Sequence, residues 1–150
     1  MFETVYWADI IERHKIKNDN ELRELVLILA SSIGAPCNPT KLSNTFKSVK
    51  NVSIGSQTIS NYLTYLSESF LLNKAIRYDI KGKKYINTLS KYFFSDIGLR
   101  NAILDMRQQE ETHIMENLIY NELITRGYSV DVGMVEIKKQ DKDGKWVRSQ

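Results

Sequence analysis

The sequence predicts an α+β protein whose central part is a winged helix-turn-helix. Three amphipathic helical stretches precede two strand-like segments joined by a basic turn, and this order is typical of that fold. No apolar run approaches the roughly 18 residues of a membrane span. The N-terminus carries acidic residues where a secretory signal carries basic ones. We therefore expect a cytoplasmic protein that has no membrane partner.

The first core helix is marked by apolar residues at helical spacing, which are Leu22, Leu25, Val26, Leu29 and Ile33. Residues 18–20, Asn-Asp-Asn, supply candidates for its N-cap. Gly34 is placed for the left-handed residue that follows a helix C-terminus. Residues 1–17 are an amphipathic helical lead-in to this helix.

The second and third helices have different start signals. Asn38 and Pro39 predict an N-cap followed by proline at the first helical position. Ser53 is the predicted cap of the third helix. The apolar stripe of that helix comprises Ile59, Tyr62, Leu63, Leu66 and Phe70. Its polar face includes Gln57, Thr58 and Asn61.

A change of period after residue 71 predicts a β-hairpin, with a turn at KGKK and a returning strand in KYINTLSKYFFSD. A further helix follows, with Thr112 as its cap and Gly127 at its end. SVDVGMVEI then reads as a strand, and WVRSQ starts another. An isolated hairpin is marginal in water, so we expect residues after Gly127 to be mobile or paired with another copy of the chain.

Positive charge is concentrated in the middle of the chain. The formal net charge is +3, but Lys17 to Arg100 contains twelve basic and six acidic residues, which gives +6 there and −3 in the flanks. A basic middle segment suits a polyanionic partner such as DNA. The single cysteine, Cys37, excludes an internal disulfide and is expected to be a small buried side chain.

Several stretches resemble the C-terminal half of a prokaryotic AAA-like ATP-binding protein family. They are ETVYWADIIERHKI, NPTKLSNTFKSVKN, YDIKGKKYIN, KYFFSDIGLRNA and ETHIMENLIYNELITRGY. The resemblance implies an N-terminal P-loop ATPase, a winged-helix segment and a C-terminal restriction-endonuclease-like domain of unknown function. It divides this chain into a lead-in from the missing ATPase domain (1–17), a winged-helix domain (18–100) and the truncated start of the endonuclease-like domain (101–150).

Two departures from that family predict a fragment without catalytic activity. The P-loop pattern G-x-x-x-x-G-K-[ST] does not occur, so the phosphate cradle is missing and ATP and Mg²⁺ are implied only for the parent protein. The resemblance matches Glu116 to the first acidic residue of the nuclease-like fold. The strands that would carry its aspartate and x-K partners lie beyond Gln150. One carboxylate does not hold a catalytic Mg²⁺, so we expect no cofactor in this chain.

The candidate nucleic-acid contacts fall into two groups. Gln57, Thr58 and Asn61 lie at the start of the third helix, where helix-turn-helix proteins meet base edges. We prefer a solvated polar face as their explanation, because Glu68 is the only charged residue between Ser53 and Phe70. The second group is basic and lies on the hairpin: Lys74, Arg77, Lys81, Lys83 and Lys84. These side chains would contact phosphate, or they would protect a strand edge from pairing.

The C-terminal segment contributes motif residues whose expected role is structural. Those in ENLIYNEL are Glu116, Asn117, Tyr120 and Glu122. His113 and Glu116 are one helical turn apart, but two ligands do not make a metal site, so we predict none. We also predict no catalytic residue.

The sequence therefore predicts a non-catalytic winged-helix interaction module from a AAA-like ATPase. Its expected partners are duplex DNA bound non-specifically, the missing ATPase and C-terminal domains of the parent, and a second copy through the unfinished C-terminal strands. Two alternatives stay open: a stand-alone DNA-binding transcriptional regulator, and the remnant of an ATP-driven nuclease.

Overall fold

The computed structural model describes residues 2–79, 84–107, 111–134, 137–140 and 146–149, which form an α+β architecture. The helices are α1 Phe2–Arg13, α2 Asp19–Ser31, α3 Pro39–Thr45, α4 Ser56–Glu68, α5 Ile97–Ile103 and α6 Glu111–Thr125, with a π-helical turn at Phe46–Lys50. The strands are β1 Leu72–Asp79, β2 Lys84–Phe94, β3 Val132–Met134, β4 Ile137–Gln140 and β5 Trp146–Ser149. None of the helices described is long and apolar enough to cross a membrane.

The predicted boundaries of α2 and α3 are largely confirmed. The apolar residues of α2 are buried at the predicted spacing, and Gly34 has a φ of +74° in the turn that follows. The side chain of Asn38 accepts a hydrogen bond from the Lys41 amide at 2.7 Å, with Pro39 at the first helical position. This cap and the proline fix where α3 begins.

The predicted start of α4 at Ser53 is wrong, because the helix begins at Ser56 with Gly55 as its N-cap. The π-helical turn ends at Asn51, which adopts a left-handed φ of +53°. Ile54 is buried, and its carbonyl accepts a hydrogen bond from the Ser43 hydroxyl at 2.6 Å. These tertiary contacts hold residues 52–54 outside the helix.

The prediction that Phe70 belongs to the apolar stripe of α4 is also wrong. The helix ends at Glu68, and Phe70 follows with a left-handed φ of +56° and 82% of its surface exposed. Leu71 is buried in its place, and its amide donates to the Leu66 carbonyl at 3.0 Å. The reversal at the helix C-terminus therefore moves the apolar stripe by one residue.

The predicted hairpin is present as the antiparallel pair β1–β2, which runs from Leu72 opposite Phe94 to Asp79 opposite Lys84. The register shifts once, because Ile76 lies opposite Ser90 whereas Arg77 lies opposite Ile86. Ser90 also exchanges two backbone hydrogen bonds of 2.9 Å with Cys37, between α2 and α3. A one-residue bridge thus ties the loop before α3 to the hairpin.

The C-terminal strands differ from the expectation. β3 pairs in parallel with β1 and completes a three-stranded sheet in the order β2-β1-β3. Residues 132–134 are therefore held by pairing within the chain. β4 and β5 form a separate antiparallel pair, with Ile137 opposite Ser149. The predicted strand SVDVGMVEI contains β3, which pairs with β1, and it shares only Ile137 with β4, the partner of β5.

The two faces of the three-stranded sheet pack against different helices, because successive side chains of a strand alternate between faces. Leu72, Tyr92 and Phe94 join the main core, which also takes Trp7 and Ile10 from α1 and the buried faces of α2, α3 and α4. The opposite face forms a second cluster, made of Ala75, Phe93 and Tyr120 with Val130 and Val132 packed on it.

Candidate functional site

The polar face at the start of α4 is exposed, and two of its predicted base-contacting side chains bind each other. The Gln57 amide donates to the Asn61 side-chain oxygen at 3.1 Å. Thr58 lies in the same first turn and is partly buried. No Lys or Arg occurs in α4, so this helix brings hydrogen-bonding groups without positive charge.

The two predicted basic residues of β1 lie on opposite faces of the strand. Lys74 is opposite Tyr92 on the face that packs against the main core, and its side chain is exposed beside α4. Arg77 is an odd number of residues away and therefore lies on the face that also carries Ala75. The structure therefore separates Lys74 from Arg77.

A cleft of about 400 Å³ separates the C-terminal half of α4 from the hairpin. Lys74 and Glu68 are its charged residues, and the other residues of its wall have uncharged side chains. Burial raises the pKa of the Cys37 thiol to about 11, although Lys41 lowers it in part. Burial also raises the pKa of Tyr92 to about 12. Both groups are neutral at physiological pH, so Lys74 and Glu68 set the charge of this cleft.

The remaining predicted contacts lie at the tip of the hairpin. Lys81 and Lys83 lie outside the described residues. The backbone of Lys84 opens β2 opposite Asp79. The chain therefore places all three lysines within or directly beside the connection between β1 and β2.

Glu116, the first motif residue of α6, lies at a junction between three segments. Its carboxylate binds the Lys91 ammonium group of β2 at 2.5 Å. A Cβ added to Gly34 would lie 2.9 Å from the other Glu116 oxygen and 3.1 Å from His113 Nδ1. The loop after α2 therefore approaches α6 as closely as a glycine allows, and Glu116 joins α6 to the sheet.

Asn117 and Asn121 attach α6 to the end of β2. Asn117 is fully buried; its side-chain oxygen accepts from the Phe94 amide at 2.8 Å, and its amide donates to the Phe94 carbonyl at 2.7 Å. Asn121 donates to the same carbonyl at 2.9 Å and to the Ser95 carbonyl at 3.1 Å. One asparagine side chain thus satisfies both backbone groups of a buried residue.

The other two motif residues of α6 differ in environment. The Tyr120 ring stacks on Phe93 with centroids 4.3 Å apart, and it is buried in the second cluster. Glu122 is exposed and binds Arg126 one turn later at 2.7 Å. Glu122 therefore belongs to the surface of α6, whereas Tyr120 belongs to its contact with the sheet.

Two residues that sequence reasoning did not single out explain the stretch SDIGLRNA. The Asp96 carboxylate caps α5 by accepting from the Leu99 amide at 2.9 Å. Arg100 is 1% exposed, and its Nε donates to the Ala30 carbonyl in the last turn of α2 at 2.9 Å. The S-D-x-x-L spacing is a cap signal that points to Asp96. No sequence pattern identifies Arg100, because its acceptor is a backbone atom seventy residues away.

The motif residues of α6 make contacts within the protein, and the described residues show no metal cluster beside them. Over the described residues, no group of three or more His, Cys, Asp and Glu side chains is placed to hold a metal ion. His113 Nδ1 and Glu116 lie 4.0 Å apart, while Glu116 is bound to Lys91. Glu116, Asn117 and Tyr120 are joined to neighbouring elements by an ion pair, hydrogen bonds and ring stacking, whereas Glu122 is not.

Comparisons with known proteins give a family without an assigned activity. Residues 1–110 match the model of a domain of unknown function, DUF8612. An uncharacterized protein from Haemophilus influenzae is 40% identical over 141 residues, which cover 94% of this chain and 35% of that protein. The uncharacterized protein MJ1544 from Methanocaldococcus jannaschii is 28% identical over 137 residues, which cover 91% of this chain and 30% of that protein. The chain thus spans about a third of the length of these curated relatives. No solved structure matches it.

Proposed function

We propose that this chain, which belongs to the family of the domain of unknown function DUF8612, is a non-catalytic winged-helix module that contacts duplex DNA through its basic hairpin. The observation that carries the proposal is the packing of three consecutive helices against a hairpin, with Ser90 bridged to Cys37 between the first two of those helices. A strand at that place, followed by two helices and the hairpin, is the element order of a winged helix, and β1–β2 is then the wing.

The wing is the better candidate for contact with DNA than α4. Lys81, Lys83 and Lys84 bring three positive charges within four residues. In α4, Gln57 and Asn61 share one hydrogen bond, and the helix contains no Lys or Arg to contact phosphate. Phosphate contacts supply most non-specific affinity, and base-edge contacts supply discrimination. Binding should therefore be weak, sensitive to salt and nearly independent of sequence.

This proposal is tested by fluorescence anisotropy with unrelated DNA duplexes at several salt concentrations. Replacing Lys81, Lys83 and Lys84 by alanine should weaken binding to every duplex alike. It should also flatten the slope of log affinity against log salt by roughly 0.9 for each phosphate group that is no longer neutralised. The double variant Gln57→Ala, Asn61→Ala should bind as the wild type does.

A charge-matched control separates the wing from a general effect of net charge. Replacing Lys17, Lys138 and Lys139 by alanine removes the same three charges outside the hairpin. This control should retain most of the affinity. Equal losses in the two triple variants, or a loss confined to the Gln57 and Asn61 variant, would refute binding through the wing. Absence of binding at low salt would refute the DNA function altogether.

We further propose that, in longer proteins of this kind, the module links an ATPase domain to a C-terminal effector domain. The proposal is supported by the resemblance to AAA-like ATP-binding proteins. It is also supported by the two curated relatives, because the chain matches only about a third of the length of each. This chain has no P-loop motif, and its Glu116 carboxylate is bound to Lys91. Purified 1–150 should neither hydrolyse ATP nor cut DNA with Mg²⁺ or Mn²⁺. Cleavage that Glu116→Ala abolishes would favour a nuclease instead.

A further inference from the structure

A small cavity between the sheet and the loop after α2 contains a buried cationic donor. The cavity has a volume of about 270 Å³. Its wall comprises Pro36, Arg77, Leu89, Ser90, Lys91, Val132 and Gly133. Arg77 Nε is buried and has no hydrogen-bond partner in the described part of the chain. An unpaired donor on a charged group is costly to bury, so this position calls for an acceptor.

The β-bulge and the parallel strand β3 create the cavity. The partner of β1 in β2 shifts from Ser90 to Ile86 between Ile76 and Arg77, so three residues of β2 leave the ladder beside Arg77. On the other side, Arg77 is paired with Val132 of β3. Arg77 thus lies between two neighbouring strands and forms part of the cavity wall.

The charge of the cavity favours a monovalent anion. Lys91 supplies a second ammonium group, but its charge is balanced by Glu116 at 2.5 Å. Asp131 lines the neighbouring cavity with Glu116 and Tyr120, not this one. The net charge of the three groups Arg77, Lys91 and Glu116 is +1. A dianionic phosphate would leave excess negative charge in a small enclosed space.

We propose that this cavity binds a carboxylate group through the Arg77 guanidinium. A carboxylate matches the planar fork of arginine donors and accepts two parallel hydrogen bonds. The side chains of Pro36, Leu89 and Val132 give the rest of the wall an apolar character, which suits a short aliphatic stem on that carboxylate. The volume is below the usual range for drug-sized ligands of about 300–1,000 Å³. The ligand is therefore a short-chain carboxylic acid or a single acidic side chain.

The test is an NMR titration that observes the Arg77 Nε–Hε resonance, which is assigned by its disappearance in Arg77→Gln. Propionate should shift this resonance, and the amides of Val132 and Gly133, to saturation. Propionamide, which has the same shape without the charge, should not. Arg77→Gln should weaken propionate binding at least tenfold, whereas Lys74→Gln, on the opposite face of β1, should leave it unchanged. Acetyl-glutamate amide distinguishes the two sources, because tighter binding than that of propionate favours an acidic side chain.

Three results would overturn the proposal. One is an equal response to chloride and propionate, which would indicate simple screening. Another is saturation by phosphate without saturation by propionate. The third is unchanged propionate binding in Arg77→Gln. If Arg77→Gln does not fold, Arg77→Lys keeps the charge and removes the fork, and it should bind propionate more weakly. The DNA proposal is separate, since replacing Lys81, Lys83 and Lys84 by alanine should weaken DNA binding and leave propionate binding unchanged.

Discussion

Replacing Asn117 by alanine should destabilise the attachment of α6 to the sheet more than the same change at Asn121 or Glu122. The substitution removes the acceptor of the buried Phe94 amide and one of two donors to the Phe94 carbonyl. A buried donor left without a partner costs about 1–3 kcal/mol, and the removal of a neutral hydrogen bond costs about 1 kcal/mol. The carbonyl still accepts from Asn121, so its own desolvation is avoided. The expected destabilisation is about 2–4 kcal/mol.

Two substitutions on the same helix calibrate this expectation. Asn121→Ala leaves both Phe94 groups paired through Asn117, and it should cost about 0.5–1.5 kcal/mol. Glu122→Ala removes an exposed ion pair with Arg126, and it should change stability by less than about 1 kcal/mol. The predicted order of destabilisation is therefore Asn117→Ala, then Asn121→Ala, then Glu122→Ala.

Urea denaturation followed by circular dichroism measures these free energies by linear extrapolation. For a domain of this size, Asn117→Ala should lower the melting temperature by roughly 5–15 °C. Because α6 can open separately from the main core, hydrogen exchange of the Phe94 amide gives a local measurement. Its protection should fall most in Asn117→Ala. The reasoning is refuted if the free energies of unfolding of Asn117→Ala and Glu122→Ala differ by less than about 0.5 kcal/mol, which is the uncertainty of such measurements. It is also refuted if the protection of the Phe94 amide is unchanged.

Three further predictions concern backbone conformation and buried ionisation. Gly34→Ala should lower the free energy of unfolding more than Gly127→Ala. Both glycines have a positive φ, but only a Cβ added at Gly34 would lie close to Glu116, at 2.9 Å. The difference between the two variants in urea denaturation therefore measures the effect of that close contact. Phe70→Gly should raise stability by about 0.5–1 kcal/mol, since it relieves a left-handed φ at a side chain that is 82% exposed; a decrease above about 1 kcal/mol would indicate that Phe70 packs against the protein. Burial raises the pKa of Cys37 from 9.0 to about 11, so its stabilising contribution is full below pH 9 and is lost as pH rises to about 11. The alkaline fall in stability should be smaller in Cys37→Ala, and equal curves for the two proteins would contradict this.

The sequence determined the type and order of most elements, because these depend on local periodicity and caps. The spacing of Leu22, Leu25, Val26 and Leu29 places α2, and Asn38-Pro39 places the start of α3. The change from helical to alternating period places the β1–β2 hairpin. Such signals lie within a few residues of the structure that they specify, so one sequence is enough to interpret them.

Tertiary contacts decided the boundaries and the sites. Ile54 is drawn into the core and delays α4, while the left-handed turn at Phe70 exchanges Phe70 for Leu71 in the core. The sequence names Lys74 and Arg77 as candidate phosphate contacts, and the alternation of β1 places them on opposite faces of the strand. The parallel pairing of β3 with β1, which encloses Arg77, joins residues more than fifty positions apart. Likewise, Asn117 satisfies the backbone of Phe94 across twenty-three positions, and pairings at such distances depend on how the helices and the sheet pack in three dimensions.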